Sequence, residues 1–139
     1  MVKIALISCT KSKLGYTCPA IEMYTKSPLF RFKLCYCKKT GVDKIFILSA
    51  KYHLLEPDTL IDDYDLTLNN FNEEEKINWS EIVLDDLKNK ADLKNDEFIL
   101  LAGKNYVNHL VDHLPNNFNP VEGLGLGKQL GFFKKFCEK

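Results

Sequence analysis

Four polar segments carry the residues best suited to chemistry. The first, Ser8 to Lys13, follows an apolar run and offers hydroxyls, strand-end backbone N–H groups and the ammonium groups of Lys11 and Lys13. That set suits an oxyanion or a phosphate. Cys9, beside both lysines, can serve as a thiolate nucleophile, although a small buried packing thiol is the simpler reading. The second segment begins at Ser49, Lys51 and Tyr52 and continues through a long loop carrying Asp62, Asp63, Tyr64 and Asp65. A ring for stacking, a carboxylate for a base or a ribose hydroxyl, and a lysine for phosphate together describe a nucleotide site. Long irregular loops of this kind are usually functional; the alternative is a solvated acidic loop anchored by Tyr64.

The third segment places Gly123, Gly125 and Gly127 before Lys128 and Gln129. Backbone can approach a ligand there, and the N–H groups of a following helix can meet an anion. A flexible turn is the competing reading. The spacing matches neither a Walker A loop nor a dinucleotide fingerprint. The fourth is His109-Leu-Val-Asp-His113, a pair at i and i+4 that approximates a zinc-protease string. No third ligand follows, and no metal is expected. His53, near the second segment, is a weaker candidate for an acid or base.

The elements that must position these groups are legible in the apolar pattern. Short β-branched runs at 2–8, 45–49 and 97–102 read as buried strands, with a short fourth at 118–122. Ser27-Pro28 opens a helix that Gly41 closes. Residues 50–55 read as one helical turn. Asn72 followed by Glu73, Glu74 and Glu75 starts a helix burying Trp79, Ile82, Val83 and Leu87. A helix is expected from Lys104 to Leu114, stopped by Pro115. A last helix spans 127–137, with Leu130, Phe133 and Phe136 or Cys137 inward. The alternation predicts a single α/β domain over 1–139, a three-layer sandwich with a mostly parallel sheet of about four strands. In such a sheet Lys11, Lys13, Lys51, Lys104 and Lys128 reach one rim at the carboxyl ends of the strands.

The 139 residues carry a formal net charge of zero, which disfavours a generally basic nucleic-acid binder. No run approaches the roughly 18 apolar residues of a membrane span, and no signal peptide is evident. A cytoplasmic protein is expected. The five cysteines, Cys9, Cys18, Cys35, Cys37 and Cys137, are odd in number and irregularly spaced, so free thiols are expected.

The strings SCTKSK, Met23 to Phe30, residues 48–68, LAGKNY and EGLGLGKQL, in that order, resemble a family of unknown function, DUF6884. The central segment is also similar to the YaaA peroxide-stress proteins, with His53 where that group usually has Gly. The resemblance implies an α/β domain and a shared site at Ser8, Cys9, Lys11, Lys13, Tyr24, Ser27, Ser49, Lys51, Tyr52, Asp62, Tyr64, Gly103, Tyr106, Gly123, Gly125, Gly127 and Gln129. It also implies an association with DNA.

Three functions compete. In the first, an enzyme acts on a glycosidic bond of a nucleotide or nucleic-acid component, as an N-glycosidase or transglycosylase would. Asp62 or Asp65 steadies a cationic sugar or acts as base, Tyr52 or Tyr64 stacks on the base, and Lys11, Lys13 and Lys51 hold phosphate. The second is a non-catalytic DNA-binding module. The third binds a free nucleotide signal without turnover. None needs a cofactor.

Overall fold

The computed structural model describes residues 2–138. In chain order the elements are β1 (Lys3–Ser8), β2 (Cys18–Pro19), α1 (Ala20–Met23), α2 (Pro28–Thr40), β3 (Lys44–Ser49), β4 (His53–Leu55), β5 (Leu60–Ile61), α3 (Glu73–Leu87), β6 (Glu97–Leu101), α4 (Lys104–Val107), β7 (Asn117–Phe118) and α5 (Leu126–Cys137). Short 3-10 turns lie at Leu68–Asn70 and Val111–His113.

Five strands form one sheet in the order β4-β3-β1-β6-β7, with β2 and β5 paired separately as a short antiparallel ribbon. β1 lies between β3 and β6 and runs parallel to both. Its residues Ile4 to Ile7 are fully buried, which is why the strand reads as an unbroken apolar run. Alternate residues feed two cores. Ile4, Leu6, Phe46, Leu48, Phe98 and Leu100 meet Trp79, Val83 and Leu87 of α3 and Tyr106 and Val107 of α4. Ala5, Ile7, Ile47, Ile99 and Leu101 meet Phe30, Tyr36 and Cys37 of α2 and Phe133 of α5. The protein is therefore a mixed α/β structure around a mostly parallel sheet.

Local signals explain the helix ends. Ser27 Oγ accepts from the Phe30 N–H at 3.2 Å, Pro28 takes the first helical position, and Gly41 closes α2 at φ 71°. Asn72 and Glu75 form a reciprocal capping box at the start of α3.

Several expectations change. Residues 50–55 form no helical turn. A tight turn leads into β4, which pairs antiparallel with β3, so the sheet gains a fifth strand. His53 enters that strand at φ 65°. Ile82 lies on the outer side of α3 and is 50% exposed. The stretch 104–114 is α4 followed by turns closed by i+3 hydrogen bonds, such as Leu110 N–H to Val107 O at 2.9 Å. Leu110 and Leu114 are buried nonetheless. The fourth parallel strand is Asn117–Phe118, two residues that pair with β6. Cys35 and Cys137 are joined by a disulfide between α2 and α5, with Cα atoms 6.2 Å apart. A separation of 102 residues in the chain hid that proximity from any reading of cysteine spacing. Cys9, Cys18 and Cys37 are free thiols. No helix among the described residues is long and apolar enough to cross a membrane.

Candidate functional site

The topology opens a crevice at one place. The chain leaves β1 toward α2, whose apolar face joins one core, and leaves β6 into α4, which joins the other. Adjacent parallel strands whose connections depart to opposite faces leave a gap between their carboxyl ends, the usual ligand position in an open α/β sheet. A cavity of about 550 Å³ lies there. Ser8, Cys9, Thr10, Lys11 and Ser12 of the β1 exit, Gly103, Lys104, Asn105 and Tyr106 of the β6 exit, Ser27 to Leu29 and Lys33 of α2, and Leu126 and Gln129 of α5 line it.

The charge of this cavity is one-sided. Lys11, Lys33 and Lys104 line it and no Asp or Glu does. The first turns of α2 and α5 add partial positive charge, and Gly125 at the start of α5 supplies no side-chain cap. Lys33 is 6% exposed, and no hydrogen bond or ion pair to its ammonium is found among the described residues. Burial pulls its ammonium down to about 8, opposed only by the nearby Cys37 thiol. That thiol is itself pushed up to about 12 by burial and remains neutral.

A second cavity of about 520 Å³ adjoins the first and shares Cys9, Thr10, Lys11, Asn69 and Tyr106 with it. Its remaining walls are Lys13, Asp65, Leu66, Thr67 and Asn70. Asn105 Nδ2 donates to Asn69 Oδ1 at 2.6 Å, and Lys76 Nζ to Asn105 Oδ1 at 3.1 Å, so α3 braces the wall.

Beside Lys13 of the second cavity lies a hydrogen-bonded group of hydroxyls. Ser49 Oγ donates to Tyr64 Oη at 2.8 Å, Tyr64 and Tyr24 hydroxyls are 2.6 Å apart, and Ser49 Oγ accepts from the Tyr52 N–H at 3.0 Å. Trp79 Nε1 donates to the Ser49 carbonyl at 2.9 Å. Burial is the main cause that raises the Tyr24, Tyr64 and Tyr106 phenols, so all three stay protonated near neutrality. Cys9 Sγ and Tyr106 Oη are 3.2 Å apart, and Lys13 Nζ stands 4.5 Å over the Tyr64 ring.

The residues singled out from sequence thus fall into groups. Ser8, Cys9, Lys11, Ser27, Gly103, Tyr106 and Gln129 line the first cavity, and Lys13 and Asp65 the second. Tyr24, Ser49, Tyr52 and Tyr64 form the hydroxyl network; the Tyr52 and Tyr64 rings meet edge to face with centroids 5.6 Å apart, and Lys51 stands over the Tyr52 ring and Lys13 over the Tyr64 ring, so neither ring is free on both faces for stacking. Asp62 is elsewhere, accepting from Thr17 Oγ1 at 2.5 Å. Lys51 lies 5.3 Å over the Tyr52 ring and borders a separate hollow with His53 and Trp79. Burial lowers His53, which favours its neutral form. Gly123 and Gly125 border a third cavity, where Gln129 Nε2 donates to the Leu124 carbonyl at 2.8 Å and holds the turn. Gly127 is exposed in the first turn of α5. His109 Nε2 pairs with Glu73 at 2.5 Å and His113 is exposed. Among the described residues no group of three His, Cys, Asp or Glu side chains could hold a metal ion.

Sequence reading missed Lys33. Its signal was present: the residue sits in the apolar stripe of α2, three after Phe30 and four before Cys37, where a charge has no solvent to face.

The fold and the cleft define an α/β protein with a lysine-lined crevice at the carboxyl edge of its central strands. The chain belongs to a family of unknown function, DUF6884, whose match covers residues 4–135. No curated protein and no solved structure matches it.

Proposed function

We propose that the cleft binds a phosphate-bearing, nucleotide-like ligand and that the protein acts on its glycosidic bond. The observation that carries the reading is the cavity between β1 and β6, lined by Lys11, Lys33 and Lys104 and by no carboxylate. Uncompensated lysines around a concave site favour a multiply charged anion. The adjoining cavity offers what the rest of a nucleotide needs: the amides of Asn69 and Asn70 and the Thr67 hydroxyl for polar edges, with Asp65 as the one carboxylate. Asp65 rather than Asp62 is then the group that steadies a cationic sugar, because Asp62 is engaged with Thr17. Tyr106 and Cys9 form the floor shared by both cavities.

The same reading extends to the architecture. Helices on both faces of the sheet, each with its own core, make a single three-layer α/β domain, and the cleft lies at its carboxyl edge.

A thermal-shift panel of nucleotides and their nucleosides, with chromatographic analysis of each hit for released base, tests the proposal. Stabilisation by phosphorylated compounds only, with base release lost in Asp65→Asn and the fold intact, is the expected outcome. Stabilisation without turnover leaves a nucleotide-signal binder. Salt-sensitive binding of DNA or RNA without response to nucleotides favours the nucleic-acid module related to the YaaA proteins.

A further inference from the structure

We infer that Lys33 is a nucleophilic amine that forms an imine with a carbonyl carbon of a phosphorylated ligand held in the first cavity. The inference rests on the proposed phosphate-binding role of that cavity and adds a reaction to it.

Lys33 is unlike the other lysines of the cleft. Lys11 and Lys104 are exposed, so water can solvate them as ordinary ammonium groups. Lys33 is 6% exposed, lines the cavity, and its ammonium has no ion pair or hydrogen bond among the described residues. A buried lysine kept only for structure is normally paired. One left without a partner against an open cavity has its amine available to whatever enters. Its neighbours help in one way: Lys11 and Lys104 line the same cavity and can hold the phosphate that brings a carbonyl to the amine. The pKa of about 8 agrees: at neutral pH about a tenth of the Lys33 amines are unprotonated, against roughly one in three thousand for an exposed lysine.

The step balances without an oxidant or a reductant. The amine lone pair forms a C–N bond to the carbonyl carbon, giving a carbinolamine. The amine nitrogen gives up its two protons to the former carbonyl oxygen, which leaves as one water as its C–O bond breaks, and a C=N bond remains. Ser8 and Tyr106 line the same cavity and can pass the protons. The ligand class is a phosphate ester with an aldehyde or a masked aldehyde, such as the C1 carbon of a phosphorylated pentose. That is the carbon a glycosidic bond leaves behind.

Reductive trapping tests this on the whole protein. The wild type is incubated with ribose 5-phosphate and cyanoborohydride, digested and mapped by mass spectrometry, with unphosphorylated ribose as control. The expected result is Lys33 labelled about tenfold or more above the exposed lysines, dependent on the phosphate and suppressed by inorganic phosphate. Labelling spread evenly over the lysines, or equal with ribose, overturns the inference. The mapping is made on the wild type, so it does not depend on how any variant folds. Binding of a nucleoside monophosphate in a parallel titration, without trapping at Lys33, removes the imine alone. Absence of both binding and trapping removes the phosphate reading as well.

Discussion

Replacing Lys33 by Met should stabilise the protein at neutral pH, and the gain should fade as pH rises. The ammonium is held at about 8 in the folded chain against 10.5 for an ordinary lysine, with burial as the main cause. Each pK unit corresponds to about 1.4 kcal/mol, so the folded protein bears a cost of about 3 kcal/mol for the charged amine below pH 8. The sign follows from proton counting. Between pH 8 and 10.5 the unfolded chain binds more protons at this residue than the folded one, so the cost shrinks as pH rises and is gone above 10.5. Met keeps the length of the stem and removes the charge. Lys33→Met should therefore raise the unfolding free energy by about 3 kcal/mol at pH 7 and by only about 1 kcal/mol near pH 9.5. Cys37, whose thiol is raised to about 12, stays neutral across that window and does not disturb the comparison. Urea unfolding of both proteins at the two pH values measures the difference. A destabilised variant, or a gain that is the same at both, would refute the reasoning.

Other outcomes follow from particular contacts. Tyr64→Phe leaves the Ser49 and Tyr24 hydroxyls without their shared partner and should cost about 1–3 kcal/mol in urea unfolding; an unchanged midpoint would show that the network contributes nothing. His53 holds φ 65°, a conformation that costs a side-chain-bearing residue about 1 kcal/mol, so His53→Gly should raise stability by about that amount and His53→Val should lower it. Removing the Cys35–Cys137 bridge with Ser at both positions releases a loop of about 100 residues and should cost about 2–5 kcal/mol, read as a lower melting temperature that reductant no longer changes.

The sheet was legible because its central strands are buried on both faces. β1, β3 and β6 each present an unbroken apolar run, and no other structure accommodates so short a run so simply. The caps of α2 and α3 were equally plain, since Ser27-Pro28 and Asn72 with Glu75 act through neighbours in the chain. What escaped depends on distant partners. β4 exists because β3 offers it an edge, and that pairing outweighs the helical look of residues 50–55. In 104–114 the helical spacing points to Tyr106, Val107, Leu110, Val111 and Leu114 as one inward face; four of them are buried and Val111 only partly, and the spacing does not show that the backbone tightens after Val107. In the cleft, the β1 and β6 exits were readable as strand ends followed by lysine. Lys51 follows a strand in the same way, yet the turn into β4 carries it to a different hollow. Lys33 sits in the apolar stripe of α2, a signal present in the sequence but outweighed by the ordinary expectation that a helical lysine points to water.

The central claim is that the crevice between β1 and β6 is a receptor for phosphate. Isothermal titration of the wild type with a nucleoside monophosphate and with the matching nucleoside tests it directly, repeated on a variant carrying Lys11→Met and Lys104→Met. The predicted result is saturable binding of the phosphorylated compound, little of the nucleoside, and a loss of about tenfold or more in affinity in the variant. Equal binding of nucleotide and nucleoside, or a nucleotide affinity unchanged without the two lysines, would contradict it.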